Sequence, residues 1–125
     1  NGMPGVEHRP AVLYTYGVEA GRMTEGQMAA MLSENTARLF GMYPQKGVVA
    51  PGADADIVVW DPSYSGVISV RTQHQNCDYT PLEGMAVHGR AKAVFLRGEQ
   101  VVSDGEVIRA HRGAFVAGGR SDLQR

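Results

Sequence analysis

The chain has 125 residues, 12 Lys and Arg against 13 Asp and Glu, and a formal net charge of −1. That length holds one ordinary domain, the 43% hydrophobic content excludes the disordered class, and the charge balance leaves no electrostatic footprint for nucleic acid or an anionic membrane. No apolar run approaches the roughly 20 residues of a membrane span, and the single cysteine, Cys77, excludes an intrachain disulfide and suits the reducing cytoplasm.

The first stretch, Asn1-Gly-Met-Pro-Gly5, is rich in turn residues and has no initiator methionine, as expected of a piece of a longer polypeptide. A first helix is expected over residues 7–16, with Val12, Leu13 and Tyr16 on one face and Gly17 near its end. Pro10 falls in its first turn, where a missing N–H costs little. Thr24 and Gln27 form a capping-box pattern ahead of Met28, Met31 and Leu32 at helical spacing. Ser33 or Asn35 caps a third helix carrying Ala37, Leu39 and Phe40, which Gly41 stops and Pro44 bars from continuing.

The character changes at residue 46. Pro51-Gly52 is a type II turn signal, and Ile57-Val-Val-Trp60 reads as a strand buried on both faces and closed by Asp61-Pro62. Val67-Ile-Ser-Val70 reads as another short strand. Residues 91–96, the turn Arg97-Gly98-Glu99 and Gln100-Val-Val102 form a hairpin. Ser103-Asp-Gly105 marks a second turn, and Glu106-Val-Ile108 adds a last strand. Helices followed by strands, without strict alternation, give the α+β class. Residues 109–125 hold four arginines against one aspartate and are expected to form an extended arm or to be partly disordered.

Several residue groups invite a chemical reading. Asp54-Ala-Asp56 alternates carboxylates as a calcium loop does, but Val58 stands where a third ligand is needed and no Glu falls at the twelfth position. The pair is therefore expected to satisfy backbone N–H groups in a turn ahead of the strand. His74-x-x-Cys77 is half of a zinc pattern, yet His8, His88 and His111 lack partner spacing, so a hydrogen-bonded loop with a small buried thiol is expected instead. The G-x-S-x-G elbow and the phosphate-cradling glycine patterns are absent. No complete catalytic set can be assembled from residue chemistry alone.

Lys46-Gly-Val-Val-Ala-Pro-Gly-Ala-Asp-Ala-Asp-Ile-Val-Val-Trp-Asp-Pro62 resembles the stretch where amidohydrolases leave the barrel for their small β domain. Asn1-Gly-Met-Pro-Gly-Val-Glu-His-Arg9 and Asn76-Cys-Asp-Tyr-Thr-Pro-Leu-Glu-Gly-Met85 narrow the resemblance to the D-hydantoinase and dihydropyrimidinase group of cyclic amidohydrolases. Glu34-Asn-Thr-Ala-Arg-Leu-Phe-Gly-Met-Tyr-Pro-Gln-Lys46 and Arg97-Gly-Glu-Gln-Val-Val102 agree with it. The resemblance spans nearly the whole chain and fades after about residue 108.

This resemblance implies a C-terminal fragment in three parts. Residues 1–45 would hold the last helices of a (β/α)8 TIM-like barrel, residues 46–108 the C-terminal strands of a small β-sandwich, and residues 109–125 a tail engaged in subunit contacts. The implied reaction opens hydantoin- or dihydropyrimidine-type rings by hydrolysis of the cyclic amide C–N bond, with a hydroxide between two zinc ions as nucleophile. The family's metal ligands lie on barrel strands with no counterpart in this sequence, so the resemblance assigns no metal ligand or catalytic residue here. It assigns Asn1 as a substrate-binding residue, just after the last barrel strand, hydrogen-bonded to the ring amide. The implied partners are a cyclic ureide or imide, the rest of the same polypeptide and further copies in a cytoplasmic homotetramer, with no nucleic acid and no membrane. Alone, the fragment is expected to be inactive. The alternative within the same fold is a non-catalytic scaffold like the collapsin-response proteins.

Overall fold

Pro10 sits in the first turn of helix α1 (Arg9–Leu13), where its missing N–H has no intrahelical partner to lose. The structure, a computed structural model, describes residues 2–110 and 112–121. It divides into two packed units. One joins the residues up to Glu25 with Asp61–Arg90; the other joins Gly26–Trp60 with the residues from Ala91 on.

In the first unit the helix does not end near Gly17 as the glycine suggests. It widens into π-type turns over Tyr14–Glu19. Thr15 lies in this wide segment, its hydroxyl donating back to the Ala11 carbonyl at 2.8 Å and accepting the His88 N–H at 2.8 Å. Such back-bonding by Thr commonly bends a helix. The Tyr16 hydroxyl donates to the Ala86 carbonyl at 2.8 Å, so the helix is tied to its neighbouring segment by side chains that serve backbone groups. Tyr14, Ile68 and Val87 form the buried apolar set of this unit, with His8 and Thr80 buried beside them.

In the second unit, α2 (Glu25–Leu32) starts directly after Thr24, and α3 (Glu34–Leu39) starts directly after Ser33. Met28 and Ala37 are their buried residues. Gly41 ends α3 with φ of 66°, and its N–H returns to the Arg38 carbonyl.

The sheet has four strands in the order β1 (Ile57–Val67), β2 (Ala86–Leu96), β3 (Glu99–Ser103) and β4 (Glu106–Val107). β2 and β3 pair antiparallel with Leu96 opposite Glu99, which leaves Arg97 and Gly98 as a two-residue loop. Both have positive φ, 50° and 81°, the pattern of a type I′ turn whose twist matches that of the strands. Asp104 and Gly105 repeat the pattern at 50° and 87°, and Ser103 pairs with Glu106. Between Val94 and Phe95 the register slips by one, leaving Val101 as an extra residue whose carbonyl accepts the Ile108 N–H at 2.9 Å.

Two strand expectations need correction. The Ile57–Trp60 run is not buried on both faces: Val58 is 57% exposed, and β1 continues through Asp61-Pro62 to Val67. A continuous β-branched run is equally compatible with an edge strand, and β1 is an edge of this sheet, where proline is tolerated. Val67–Val70 is not a separate strand. Ile68 lies just beyond β1, is buried, and bonds through its backbone to Gly84 and Met85.

Residues 109–110 and 112–121 carry no regular structure but are tied to the rest of the unit at two places. Arg109 and Arg112 pair with Glu99, and the Gly119 N–H donates to the Gly41 carbonyl at 2.7 Å. A Cβ on Gly41 would lie 2.3 Å from the Gly119 oxygen, so this approach requires glycine.

Candidate functional site

The expected substrate-binding residue, Asn1, lies outside the described residues. What the structure describes is how the chain immediately after it is held. Helix α1 begins at Arg9, its N–H bonded to the Gly5 carbonyl at 3.1 Å, and the residues just before it face the loop over residues 71–80.

Glu7 makes the densest contact. Its carboxylate accepts the His74 backbone N–H at 2.8 and 3.0 Å, the Gln75 N–H at 3.1 Å and pairs with the His74 ring Nδ1 at 2.8 Å. Burial pushes this carboxyl up, but the His74 ring and the two backbone N–H groups together outweigh it and hold it below the usual range. The next residue, His8, is buried. Its Nε2 lies 3.3 Å from Gln73 Oε1 and 3.2 Å from Gln75 Nε2, so a protonated nitrogen donates to the first and a bare one accepts from the second. Gln75 Nε2 also donates to Gln73 Oε1 at 3.0 Å, and Gln73 Nε2 donates to the Cys77 carbonyl at 2.8 Å. Farther along the same loop, the Tyr79 hydroxyl donates to the Gly2 carbonyl at 3.3 Å.

The described part of the first stretch that narrows the family resemblance, residues 2–9, therefore neighbours the second, 76–85, through the Tyr79–Gly2 bond. The expected hydrogen-bonded loop around His74 and Cys77 is present, but the thiol is not buried as expected. The His74 ring is committed to Glu7, while the Cys77 thiol is exposed and its carbonyl, not its sulfur, enters the network. Glu7, Gln73, Gln75 and Tyr79 carry no chemical signal of their own in the sequence, and His8 enters there only as a histidine without zinc-partner spacing. The signal that could have found them is the coincidence of Glu7, His8 and Tyr79 with the two narrow stretches.

The Asp54/Asp56 pair belongs to the other unit and does what a turn pair does, with one addition. Asp56 accepts the Arg97 N–H of the β2–β3 turn at 2.8 Å, while Lys46 pairs with Asp56 and, at 2.8 Å, with Asp54. Gln45 donates to Asp54 at 3.1 Å. The bonds from Lys46 and Gln45 hold the Asp54 carboxyl below its usual range, and the same carboxylates raise the Lys46 ammonium above its own. Beside this clamp, Val48, Val49, Pro51 and Ile57 line a shallow hollow of about 260 Å³.

Among the described residues, no group of three or more His, Cys, Asp or Glu is placed to hold a metal ion. The described residues offer no donor set that fits the two zinc ions implied by the resemblance. No helix of the described residues is long and apolar enough to cross a membrane. The arrangement around Glu7 orients backbone; it offers no reacting centre of its own.

Comparison with known proteins identifies the family. The model of the amidohydrolase family matches residues 6–101. The D-hydantoinase of Geobacillus stearothermophilus is 45% identical over 108 residues, covering 86% of this chain and 23% of that protein. A D-phenylhydantoinase of Escherichia coli is 44% identical over 117 residues, covering 93% of this chain and 25% of its own. The crystal structure of a dihydropyrimidinase from Brevibacillus agri superimposes with a TM-score of 0.83 at 45% identity, over 86% of this chain and 23% of the other. The chain thus spans about a quarter of the length of these relatives. It belongs to the amidohydrolase family.

Proposed function

We propose that this chain is the C-terminal part of a cyclic amidohydrolase that opens hydantoin- or dihydropyrimidine-type rings by hydrolysing the cyclic amide C–N bond. The observation that carries the reading is the joining of residues 2–9 to the 76–85 stretch through the Tyr79–Gly2 hydrogen bond, with Glu7 holding His74 and Gln75 immediately before that stretch. These are the stretches that set the hydantoinase group apart from other amidohydrolases, and they form one hydrogen-bonded assembly next to the proposed substrate residue. The names of the relatives, hydantoinase and dihydropyrimidinase, supply the substrate class.

In this reading residues 1–45 close a TIM-like barrel, residues 46–108 supply strands of a β-sandwich, and residues 109–125 contact further subunits of a homotetramer. Two zinc ions, whose ligands would lie outside this chain, would supply the Lewis-acid chemistry of such a hydrolysis. This chain's share is binding. The Asn1 side chain carries one acceptor and two donors, the set needed to grip a ring amide through both its N–H and its C=O. The lone Cys77 thiol suits a cytoplasmic setting.

The test is ring opening by the full polypeptide, zinc-loaded, with hydantoin and dihydrouracil as substrates. Release of the N-carbamoyl amino acids is expected. A zinc-loaded, folded polypeptide that leaves both rings and their 5-substituted analogues intact contradicts the reading.

A further inference from the structure

Residues 112–121 join two places within one packed unit, and the two ends differ in chemistry. The near end is ionic. The Arg109 and Arg112 guanidinium groups converge on a single oxygen of Glu99, its Oε1, and the Arg97 guanidinium donates to the Arg112 carbonyl. Arg97 occupies a turn position that favours Asn, Asp or Gly, and the reach of its long side chain to residue 112 gives an arginine a use there. The far end is backbone on backbone. The Gly119 N–H donates to the Gly41 carbonyl, and a Cβ on Gly118 would stand 2.7 Å from the Phe40 carbonyl oxygen. Between the ends the chain is largely exposed, Phe115 by 93%, so polar contacts at the ends hold the segment rather than apolar burial.

We propose that residues 112–121 are a salt-sensitive strap whose two ends hold and release together, with Glu99 as the latch. Gly119 follows Arg112 by only seven positions. With one end made, the other is confined to a small volume and closes more readily than a free peptide would. Losing the ionic end removes that confinement, and the bond at Gly119 then exchanges with water at little cost. Salt acts on one end only. Dissolved ions screen the pairs between the arginines and Glu99, and barely touch a bond between two neutral backbone groups. The end of α3 at Phe40 and Gly41 is thus covered or opened according to contacts made at the β2–β3 hairpin.

The experiment follows amide hydrogen exchange at Gly119 in the full polypeptide, with the Leu96 amide as a reference for the hairpin itself. Wild type, Glu99→Gln and Arg112→Gln are compared at about 0.05 M and about 1 M sodium chloride. In the wild type, exchange at Gly119 is expected to be about two- to fivefold faster at the higher salt, with Leu96 unchanged. Glu99→Gln is expected to show the faster exchange at both salt concentrations and little further response. Arg112→Gln, which keeps the Arg109 pair, should fall between the two. If Glu99→Gln fails to fold, Arg112→Gln decides the question alone. Gly119 exchange that is unchanged in the folded variants overturns the proposal, because the far end then holds by itself. So does a Glu99→Gln protein that responds to salt as the wild type does, which would put the salt-sensitive contact elsewhere. Equal acceleration at Leu96 and Gly119 overturns it as well, since the hairpin and not the strap would then be opening.

Discussion

The carboxylate of Glu7 lies 2.8 Å from the His74 ring nitrogen and also accepts the N–H groups of His74 and Gln75, joining segments 67 residues apart in sequence. A carboxylate with this many donors is replaced poorly by any other group. Glu7→Ala is expected to cost about 1–3 kcal/mol of local stability, because two backbone N–H groups lose their acceptor. In the full polypeptide this is read as faster amide hydrogen exchange at residues 74 and 75, with distant amides unchanged.

The same contact sets a pH dependence. The Glu7 carboxyl is held below its usual range, so its contribution is complete above the ordinary carboxylate value and is lost as pH falls through the lowered one. Protection of the 74 and 75 amides should therefore weaken below about pH 4 in the wild type and show no such step in Glu7→Gln. An identical acid limb in both proteins would assign the step to another group.

Lys46 gives a second, two-sided case. The Asp54 carboxyl is lowered and the Lys46 ammonium raised by one another. Their shared contribution falls away as pH drops through the lowered Asp54 value, and separately as pH climbs through the raised Lys46 value. Lys46→Met should loosen the Arg97 amide, which Asp56 holds, and the difference from wild type should persist between about pH 4 and pH 10 and shrink only as pH passes beyond the lowered Asp54 and raised Lys46 values. A difference that does not respond to pH at either end would point to packing rather than charge.

At Gly98, φ of 81° makes a side chain costly. Gly98→Ala is expected to destabilise the β2–β3 hairpin by about 1–2 kcal/mol, while Arg97→Gly, which relieves a positive φ of 50°, is expected to be neutral or mildly stabilising. Hydrogen exchange at Leu96 and Glu99 measures both. Equal protection in the two variants would mean that the loop is not the type I′ turn described.

Gly41→Ala places a Cβ where the Gly119 carbonyl lies and should release the end of residues 109–121. Limited tryptic digestion of the full polypeptide is then expected to cut after Arg112 and Arg120 several-fold faster than in the wild type, as for an untethered segment. Unchanged cleavage would show that the ion pairs with Glu99 hold the segment alone.

Much of the local structure could be read from the residues themselves. Pro10, Gly41, Arg97-Gly98 and Asp104-Gly105 mark the element ends the structure contains, because each acts through its own backbone. What could not be read was tertiary. The Ile57–Trp60 run looks the same whether its faces are covered or open, and only the sheet order shows β1 to be an edge. Gly17 suggested a helix end, but Thr15 and His88 supply a contact that continues the helix in a wider form. The Glu7–His74 pair has no sequence spacing to betray it. A hydrogen bond across 67 residues is visible only once the chain is folded, or when two distant stretches are recognised as belonging to the same family pattern.

The central claim is that this chain serves a ring-opening amidohydrolase without carrying its reacting centre. The most direct measurement incubates hydantoin with the zinc-loaded full polypeptide and, in parallel, with the zinc-loaded 125-residue chain, and follows the ring-opened product by mass. Conversion by the full polypeptide and none above background by the short chain is the predicted result. Conversion by the short chain, or by neither, would contradict it.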